Sequence, residues 1–275
     1  MRLILLTIFT LIAFAANSVL VRSALTNGTI GPAAFGAIRL GAGAGMLLVL
    51  TVLTGGRRAL FPKGSMVSSA ALLVYVVGFS YAYLWLDTGT GALILFGGVQ
   101  ITMFAGALLA GEKMPASRWL GAGLAMLGLG LLFGPKAGRP DAFGAALMAV
   151  AAIGWGVYSL RGRGVAKPLP ASASTFLLAA PLAAGLWLLV PDAVGVSPQG
   201  VGLAMASGAV ASGLGYALWY TVLPQIRASS AAILQLSVPI IALAGGMLVL
   251  SEPLTASFLL AAPLIIIGVL VAIRR

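Results

Sequence analysis

Long apolar runs make up most of the chain, and they restrict its fold more than any other feature. A helix needs about 20 predominantly apolar residues to cross the hydrocarbon core of a bilayer. Cutting the sequence at glycine, proline and charged residues gives ten runs of that kind. They are residues 3–22, 32–54, 66–86, 89–110, 116–133, 141–160, 170–190, 199–221, 228–250 and 254–273. The pattern predicts an all-α integral membrane protein with ten transmembrane helices and no separate soluble domain.

Charge and composition exclude several classes of function for this chain. Only 8% of the 275 residues are charged, against roughly a quarter in soluble proteins. The net charge of +11 comes from 16 basic residues scattered among apolar runs, without the basic stripe that binds nucleic acid. The chain has no cysteine and no histidine, which removes thiolate nucleophiles, histidine bases and conventional zinc sites. We therefore expect a protein that is not an enzyme, with no metal, no cofactor and no nucleic-acid partner.

A duplicated hairpin predicts internal symmetry. Residues 231–273 hold two apolar runs joined by Ser251-Glu252-Pro253, and residues 92–133 form a looser copy in which Glu112 matches Glu252. The halves repeat at an offset of 134 to 140 residues, so each holds five runs. Five crossings are odd, so successive copies enter the membrane from opposite sides. The sequence predicts two inverted five-helix repeats, residues 1–137 and 138–275.

The basic residues predict the orientation in the membrane. With the N-terminus in the cytoplasm, twelve of the 16 Lys and Arg residues fall on the cytoplasmic side and three on the other. This excess favours a multi-pass protein of the inner (plasma) membrane with both termini cytoplasmic. The first run also fits a signal peptide, because Arg2 precedes it and Ala13-Phe14-Ala15 resembles a cleavage site. We keep it as a span because residues 16–25 align loosely with residues 155–164.

Arg39 is the one charge well inside a predicted span. It lies seven residues after Pro32, which is about 10 Å from the outer end of its helix. An arginine facing lipid is unfavourable by at least a few kcal/mol. Three interpretations stand: binding of an anionic group such as a carboxylate, structural pairing, and snorkelling to the headgroups.

Amides and aromatic residues supply the other candidate substrate contacts. Asn17, Gln100 and Gln235 either bind a polar ligand or cross-link neighbouring helices. The aromatic residues either line a semi-polar pocket or pack as ordinary core, and they fall into sets with helical spacing. These sets are Tyr75, Phe79 and Tyr83; Trp155 and Tyr158; and Tyr216, Trp219 and Tyr220.

The C-terminal half resembles the second half of EamA-type permeases of the drug/metabolite transporter superfamily. Residues 216–271 carry that family's aromatic "LWY" segment, mid-span proline, "E-P-L" hinge and glycine-rich last helix. The matching positions are Pro239, Glu252, Pro253, Leu254 and Gly268. In the first half, residues 14–25 and 35–48 resemble the family's first two spans, and Gly111-Glu112 repeats the hinge. Where the second half has Pro239, the first has Val99, with Gly97 and Gly98 as a flexible substitute.

Hinge residues are candidates for gates. Glu112 and Glu252 either form ion pairs, with Lys113 or Arg118 nearest to Glu112, or meet the dipole of the helix that follows each of them. Pro239, Gly97 and Gly98 are the candidate bending points. The first span has no deep carboxylate for proton coupling, so we expect a facilitator or an exchanger.

The resemblance implies a permease that moves small metabolites, and Arg39 favours an amino acid or a related small carboxylate. The expected mechanism is alternating access around a central cavity, as an exporter or exchanger, with the substrate and the bilayer as partners. Two rival functions remain at this point: a lipid or lipid-linked sugar flippase, and a membrane scaffold without transport. Substrate identity, direction and oligomeric state do not follow from the sequence.

Overall fold

The computed structural model describes residues 2–61, 65–86, 88–133, 141–250 and 256–273, and all regular structure in them is helical. The first half contains α1 Arg2–Thr26, α2 Pro32–Leu53, α3 Ser65–Ala82, α4 Thr88–Leu109 and α5 Ala116–Phe133. The second half contains α6 Ala142–Gly162, α7 Pro168–Leu189, α8 Pro198–Ala206, α9 Gly215–Val222, α10 Ala228–Gln235, α11 Val238–Leu250 and α12 Ala256–Ile273. A π-helical segment, Ser207–Leu214, joins α8 to α9, and short 3₁₀ turns follow α2 and α9.

Several helices are long enough to cross a bilayer. Within the described residues, six apolar stretches reach membrane length. They are Arg2–Leu25, Pro32–Leu53, Ser65–Ala82, Ala142–Gly162, Pro168–Leu189 and Pro198–Gln225. Large apolar side chains such as Ile4, Phe9 and Leu188 are exposed on the outside of the bundle, as expected where lipid covers the surface. The fold is that of a multi-pass membrane protein.

The predicted run 228–250 is two helices rather than one. It breaks at Leu236 and Ser237, between α10 and α11. Pro239 has no N–H to offer to the carbonyl group of Gln235, and the Ser237 hydroxyl donates to the carbonyl of Leu234 (2.7 Å). At the matching place in the first half, Val99 keeps its N–H, and α4 runs unbroken. The two copies of the hairpin therefore differ in their backbone.

Helices from the two halves interleave. The helix α2 packs against α7, α3 against α6, and α5 against α12. The helix α1 packs along α8, the π segment, α9 and α11. The two halves do not have separate cores in the described part of the chain, since the largest buried cluster includes residues of both.

The pairing of α5 with α12 depends on two glycines. A Cβ atom added to Gly268 would lie 2.6 Å from the carbonyl oxygen of Gly121, and one added to Gly121 would meet the carbonyl oxygen of Gly268. Small residues allow helix backbones to touch in this way within membranes. At this pair, close packing accounts for the glycines.

Candidate functional site

The candidate site is centred on Arg39, where α2 crosses the π segment. A Cβ atom at Gly208 would collide with the carbonyl oxygen of Arg39, and one at Gly43 would lie 2.9 Å from the carbonyl oxygen of Gly208. The two backbones therefore touch. This contact brings the α2 side chain of Arg39 against residues of the π segment and α9.

The guanidinium group of Arg39 is fully buried and only partly satisfied. Its Nε atom donates to the Ser212 hydroxyl at 2.8 Å, and Nη2 donates to the Tyr216 hydroxyl at 2.6 Å and more weakly to that of Tyr75 at 3.5 Å. The guanidinium carbon lies 5.5 Å from the centre of the Tyr75 ring. Nη1 has no hydrogen-bond partner among the described residues. The side chain does not snorkel, since it is 0% exposed.

An aromatic cluster centred on Trp155 meets this cation through Tyr75 and Tyr216. The Trp155 ring lies 4.7 Å from Tyr216, 5.0 Å from Tyr75, 5.1 Å from Phe14 and 5.5 Å from Tyr158, measured between ring centres. These contacts join four helices around Arg39, because Phe14 is on α1, Tyr75 on α3, Trp155 and Tyr158 on α6, and Tyr216 on α9.

Two aromatic chains extend from the cluster. On α3, Phe79 lies 5.6 Å from Tyr75, and Tyr83 follows at 4.9 Å. On the other side, Tyr220 stacks on Tyr158 at 4.6 Å. Trp219 joins through Phe14, at 5.7 Å.

Polar side chains tie this cluster to the neighbouring helices. The indole N–H of Trp155 donates to Oε1 of Gln235 at 2.5 Å, immediately before the break between α10 and α11. Nε2 of Gln235 contacts the sulfur of Met103 at 3.1 Å. Oδ1 of Asn17 accepts a hydrogen bond from the hydroxyl of Ser207, the first residue of the π segment. Asn17 and Gln235 thus act as helix cross-links in this structure.

Gln100 lies apart from these interactions. It is 5% exposed, and neither its amide nitrogen nor its amide oxygen has a partner among the described residues. No hydrogen bond among the described residues joins it to Arg39. The structure therefore brings together ten of the predicted substrate residues, directly or through intermediates, and leaves this one separate.

Three contributors were absent from the sequence prediction: Phe14, Ser207 and Ser212. Ser212 precedes Tyr216 by four residues, which places both on one helical face. That spacing was the available signal. Serine is common at helix contacts in membrane proteins, so the signal alone did not single it out.

Glu112 joins the α4–α5 hinge to the start of α10. Oε1 accepts from Nη1 of Arg118 at 2.7 Å and from the hydroxyl of Ser229, and Oε2 accepts from the backbone N–H of Ala228 at 3.2 Å. The predicted pairing with Arg118 is present. The predicted dipole contact is corrected, because the carboxylate caps α10 of the other half rather than the following helix α5. The hinge turns at Gly111, whose φ of +73° favours glycine.

The other hinge candidates lie in α4, in α11 or outside the described residues. Gly97 and Gly98 lie inside the unbroken α4, and a Cβ atom at Gly98 would lie 2.7 Å from that of Ala152 on α6. Pro239 is in the first turn of α11. Glu252 lies outside the described residues.

A second carboxylate caps the helix that carries Arg39. Asp192, in the loop after α7, accepts hydrogen bonds from the backbone N–H groups of Ala33 (3.0 Å) and Ala34 (2.8 Å). A carboxylate at a helix N-terminus is stabilised by the helix dipole. Asp192 thereby fixes the start of α2 to the second half of the chain.

A family model and several known proteins match this chain. Residues 142–274 match the model of the EamA-like transporter family. The chain is 46% identical over 254 residues to an uncharacterised protein of Pseudomonas aeruginosa, covering 92% of this chain and 88% of that protein. It is 22% identical over 220 residues to an uncharacterised transporter of Archaeoglobus fulgidus, covering 78% of each. It is 26% identical over 256 residues to the uncharacterised transporter YoaV of Bacillus subtilis, covering 87% of this chain and 86% of YoaV.

One solved crystal structure has the same fold. It superposes with a TM-score of 0.79 at 20% identity, over 96% of this chain and 97% of the other. The likeness therefore extends over both halves of the chain, including the first half, which the family model does not match.

Proposed function

The chain belongs to the EamA-like transporter family, and from that premise we propose that it exports or exchanges an amino acid or a related small carboxylate. Membrane transport of small molecules is the function of the family. The identity of the substrate class rests on the chemistry around Arg39.

The observation that carries this proposal is the incomplete hydrogen bonding of Arg39. Its three hydrogen-bond partners are neutral hydroxyls, and no carboxylate pairs with it in the described part of the chain. A buried charge without an opposite charge is unfavourable. A substrate carboxylate at Nη1 would supply both the missing acceptor and the missing charge, and guanidinium groups bind carboxylates strongly.

The aromatic rings complete the proposed site. The guanidinium group lies over the face of Tyr75, whose ring packs against Trp155, and Trp155 packs in turn against Tyr216. Such faces can pack against the apolar part of a small acid and attract an ammonium group. An amino acid presents both groups together, which is why we favour it.

We propose alternating access between two inverted five-helix repeats, residues 1–137 and 138–275. The interleaved pairs α2–α7, α3–α6 and α5–α12 support this arrangement. In a chain of ten spans, Glu112 and Asp192 lie at opposite faces of the membrane, with Arg39 between them. Each carboxylate joins the two halves, and breaking them in turn would open one side and then the other.

Counterflow into proteoliposomes tests the proposal. A thermal-shift screen of amino acids and small carboxylates identifies ligands, and each is then assayed with purified protein. Arg39→Ala should weaken binding roughly 10- to 100-fold, the range for hydrogen bonds to charged groups. Arg39→Lys should also be impaired, because lysine lacks the planar fork.

Arg58→Ala is the matched control, since Arg58 is exposed in the turn after α2 and the variant loses the same charge. It should transport normally. An Arg39→Ala protein that stays monodisperse and moves the same compound with unchanged rate and affinity would refute the proposal.

A further inference from the structure

We infer that Arg161, held by Ser68, forms a second binding position for the substrate carboxylate, at the rim of the bundle. These two residues are called the rim site below. The inference rests on the proposed function and deepens it, because the acid would contact the protein at the rim before it reaches Arg39. It concerns the path of the acid and adds no chemical group to the substrate.

The guanidinium group of Arg161 is held in the same way as that of Arg39. Its Nε atom donates to the hydroxyl of Ser68, on α3, at 3.1 Å. At the buried site, Nε of Arg39 donates to the hydroxyl of Ser212 at 2.8 Å. A guanidinium group fixed through Nε has a defined orientation, which a bidentate contact with a carboxylate requires.

Three tyrosines join Arg161 to Arg39. Tyr220 lies close enough to Arg161 for the two side chains to interact electrostatically, and its ring stacks on that of Tyr158 at 4.6 Å. The Tyr158 ring lies 5.8 Å from that of Tyr216, whose hydroxyl accepts from Arg39 at 2.6 Å. The two arginines are therefore the ends of one continuous set of side chains.

The two arginines differ in their exposure to water. Arg161, the second-last residue of α6, is exposed, whereas Arg39 is 0% exposed. An acid in solution can therefore reach Arg161 without a rearrangement of the helices, and it cannot reach Arg39. A positive charge at the mouth of a path also raises the local concentration of anions and their rate of association.

The rim site lies at the end of the bundle that carries the proposed Glu112 gate. Two residues after Arg161, Nε of Arg163 donates to the carbonyl of Ile226 at 3.3 Å. Two residues after Ile226, the backbone N–H of Ala228 donates to Glu112 at 3.2 Å. An acid bound at Arg161 would thus be at the mouth of the path when this gate opens.

Arg163 allows the rim site to be distinguished from two simpler roles of Arg161. One role is to orient the chain in the membrane through its charge, and the other is to link α6 to α3 through Ser68. Arg163 has the same charge at the same end of α6, but its Nε bonds a backbone carbonyl. If charge alone mattered, the two arginines would be equivalent.

A carboxylate-bearing thiol reagent tests the rim site before any substrate has been identified. The chain has no cysteine, and Gly164→Cys places one thiol three residues after Arg161, where the added Cβ meets no described atom within 4 Å. In purified protein, the rate of reaction with carboxyethyl methanethiosulfonate should level off at high reagent concentration, because the reagent binds before it reacts. The rate with uncharged propyl methanethiosulfonate should stay proportional to concentration, and propionate should slow only the carboxylate reagent.

Removal of each arginine in the Gly164→Cys protein shows which one binds the reagent. Arg161→Gln should weaken binding of the carboxylate reagent about 10- to 100-fold, the range for hydrogen bonds to charged groups. Arg163→Gln removes an equal charge beside the thiol. It should weaken binding at most a few-fold, as expected of an exposed charge.

Ser68→Ala tests the orientation of the guanidinium group without changing the charge. The variant should weaken reagent binding on the order of 3- to 10-fold, because Arg161 loses the partner of its Nε atom. Ser69→Ala is the matched control, since the Ser69 hydroxyl donates to the backbone carbonyl of Ser65 at 2.7 Å. The control should bind the reagent as the parent does.

Transport measurements connect the rim site to the path of the acid. With a carboxylate that the thermal-shift screen identifies, Arg161→Gln should lower the rate several-fold at low substrate concentration and leave the maximal rate near that of the parent. Affinity at Arg39 should be unchanged.

The inference would be overturned by a parent rate that stays proportional to the concentration of the carboxylate reagent. Equal binding by the two arginine variants, or by the two serine variants, would overturn it as well, as would unchanged transport by Arg161→Gln at low substrate concentration. The proposed function fails separately, when Arg39→Ala transports normally. Loss of transport in Arg39→Ala without saturable labelling at position 164 would leave the proposed function standing alone.

Discussion

Glu112 is a single side chain whose contacts join two distant parts of the chain. Its carboxylate accepts hydrogen bonds from Arg118 beside it and from Ala228 and Ser229, more than 110 positions away in the sequence. Glu112→Gln removes the negative charge and keeps the shape. Hydrogen bonds to a charged group are stronger than those between neutral groups, so we expect α10 to separate from the hinge more often in this variant. A thiol introduced as Ala232→Cys, at a position that is 1% exposed, should then react about 10-fold faster.

Asp141→Asn is the control for this prediction. Asp141 caps only its own helix, by accepting from the N–H of Gly144 at 2.8 Å. The control should change the stability little, because asparagine caps a helix start about as well as aspartate, and it should leave the reactivity at position 232 unchanged. Equal thiol reactivity in the parent and the Glu112→Gln protein would show that the carboxylate does not hold the two halves together.

Charge and aromatic spacing made part of the site predictable. Arg39 stood out because a deep arginine in lipid is unfavourable, and Tyr75, Trp155 and Tyr216 followed from helical spacing. Ser212 did not stand out, because a serine in a span has many ordinary uses. Its contact with Arg39 depends on how closely α2 crosses the π segment, and that distance is set by residues far apart in the sequence.

The π segment is the helical element on which the site geometry depends. It begins at Ser207, which binds Asn17, and includes Ser212, which binds Arg39. Segments of π-helix often occur at functional sites. A hydrophobic pattern with the α-helical period does not predict one, so the sequence indicated a single regular span from 199 to 221.

Gly208→Ala tests the contact between this segment and α2. The new methyl group would collide with the carbonyl oxygen of Arg39, and backbone cannot move aside as a flexible side chain can. We expect a loss of about 1–3 kcal/mol of stability, as in other overpacked cores, together with weaker substrate binding. Thermal unfolding in detergent and counterflow measure the two effects.

Gly202→Ala is the matched control, on the preceding α8 and with no atom within 4 Å of the added Cβ. It should be neutral or stabilising by up to about 1 kcal/mol, because alanine is the better helix former. If both alanine variants unfold at the same temperature and transport equally, the close crossing is not required for the site.

The hairpin copies show which differences between elements could be anticipated. The break between α10 and α11 could be anticipated from Pro239, because proline lacks the N–H that a continuous helix needs. Val99, at the matching place in the first half, keeps its N–H, and α4 is unbroken. The partner of Glu112 could not be anticipated in the same way. The helix start nearest in sequence is that of α5, whereas the structure places the start of α10 there.

The molecule as a whole is tied together across its two halves. Asp192 of the second half caps α2 of the first, Glu112 of the first half caps α10 of the second, and Gly121 and Gly268 bring α5 and α12 into contact. Cross-links at separate places allow one to break while others hold, which the proposed alternating access requires.

The proposed inverted repeat predicts that equivalent positions of the two halves face opposite sides of the membrane. Asn27 and Gly164 follow the first helix of each half, and Arg58 and Gly195 follow the second; each pair is separated by 137 positions, and all four residues are exposed. Single cysteines can be placed at each without a background thiol, because the chain has none. With both termini cytoplasmic, an impermeant maleimide applied to intact cells should label positions 27 and 195 and leave 58 and 164 unlabelled until the cells are opened. Labelling of both members of either pair from outside would mean that the two halves share one orientation. Two halves in the same orientation would lack the symmetry from which two equivalent gates follow.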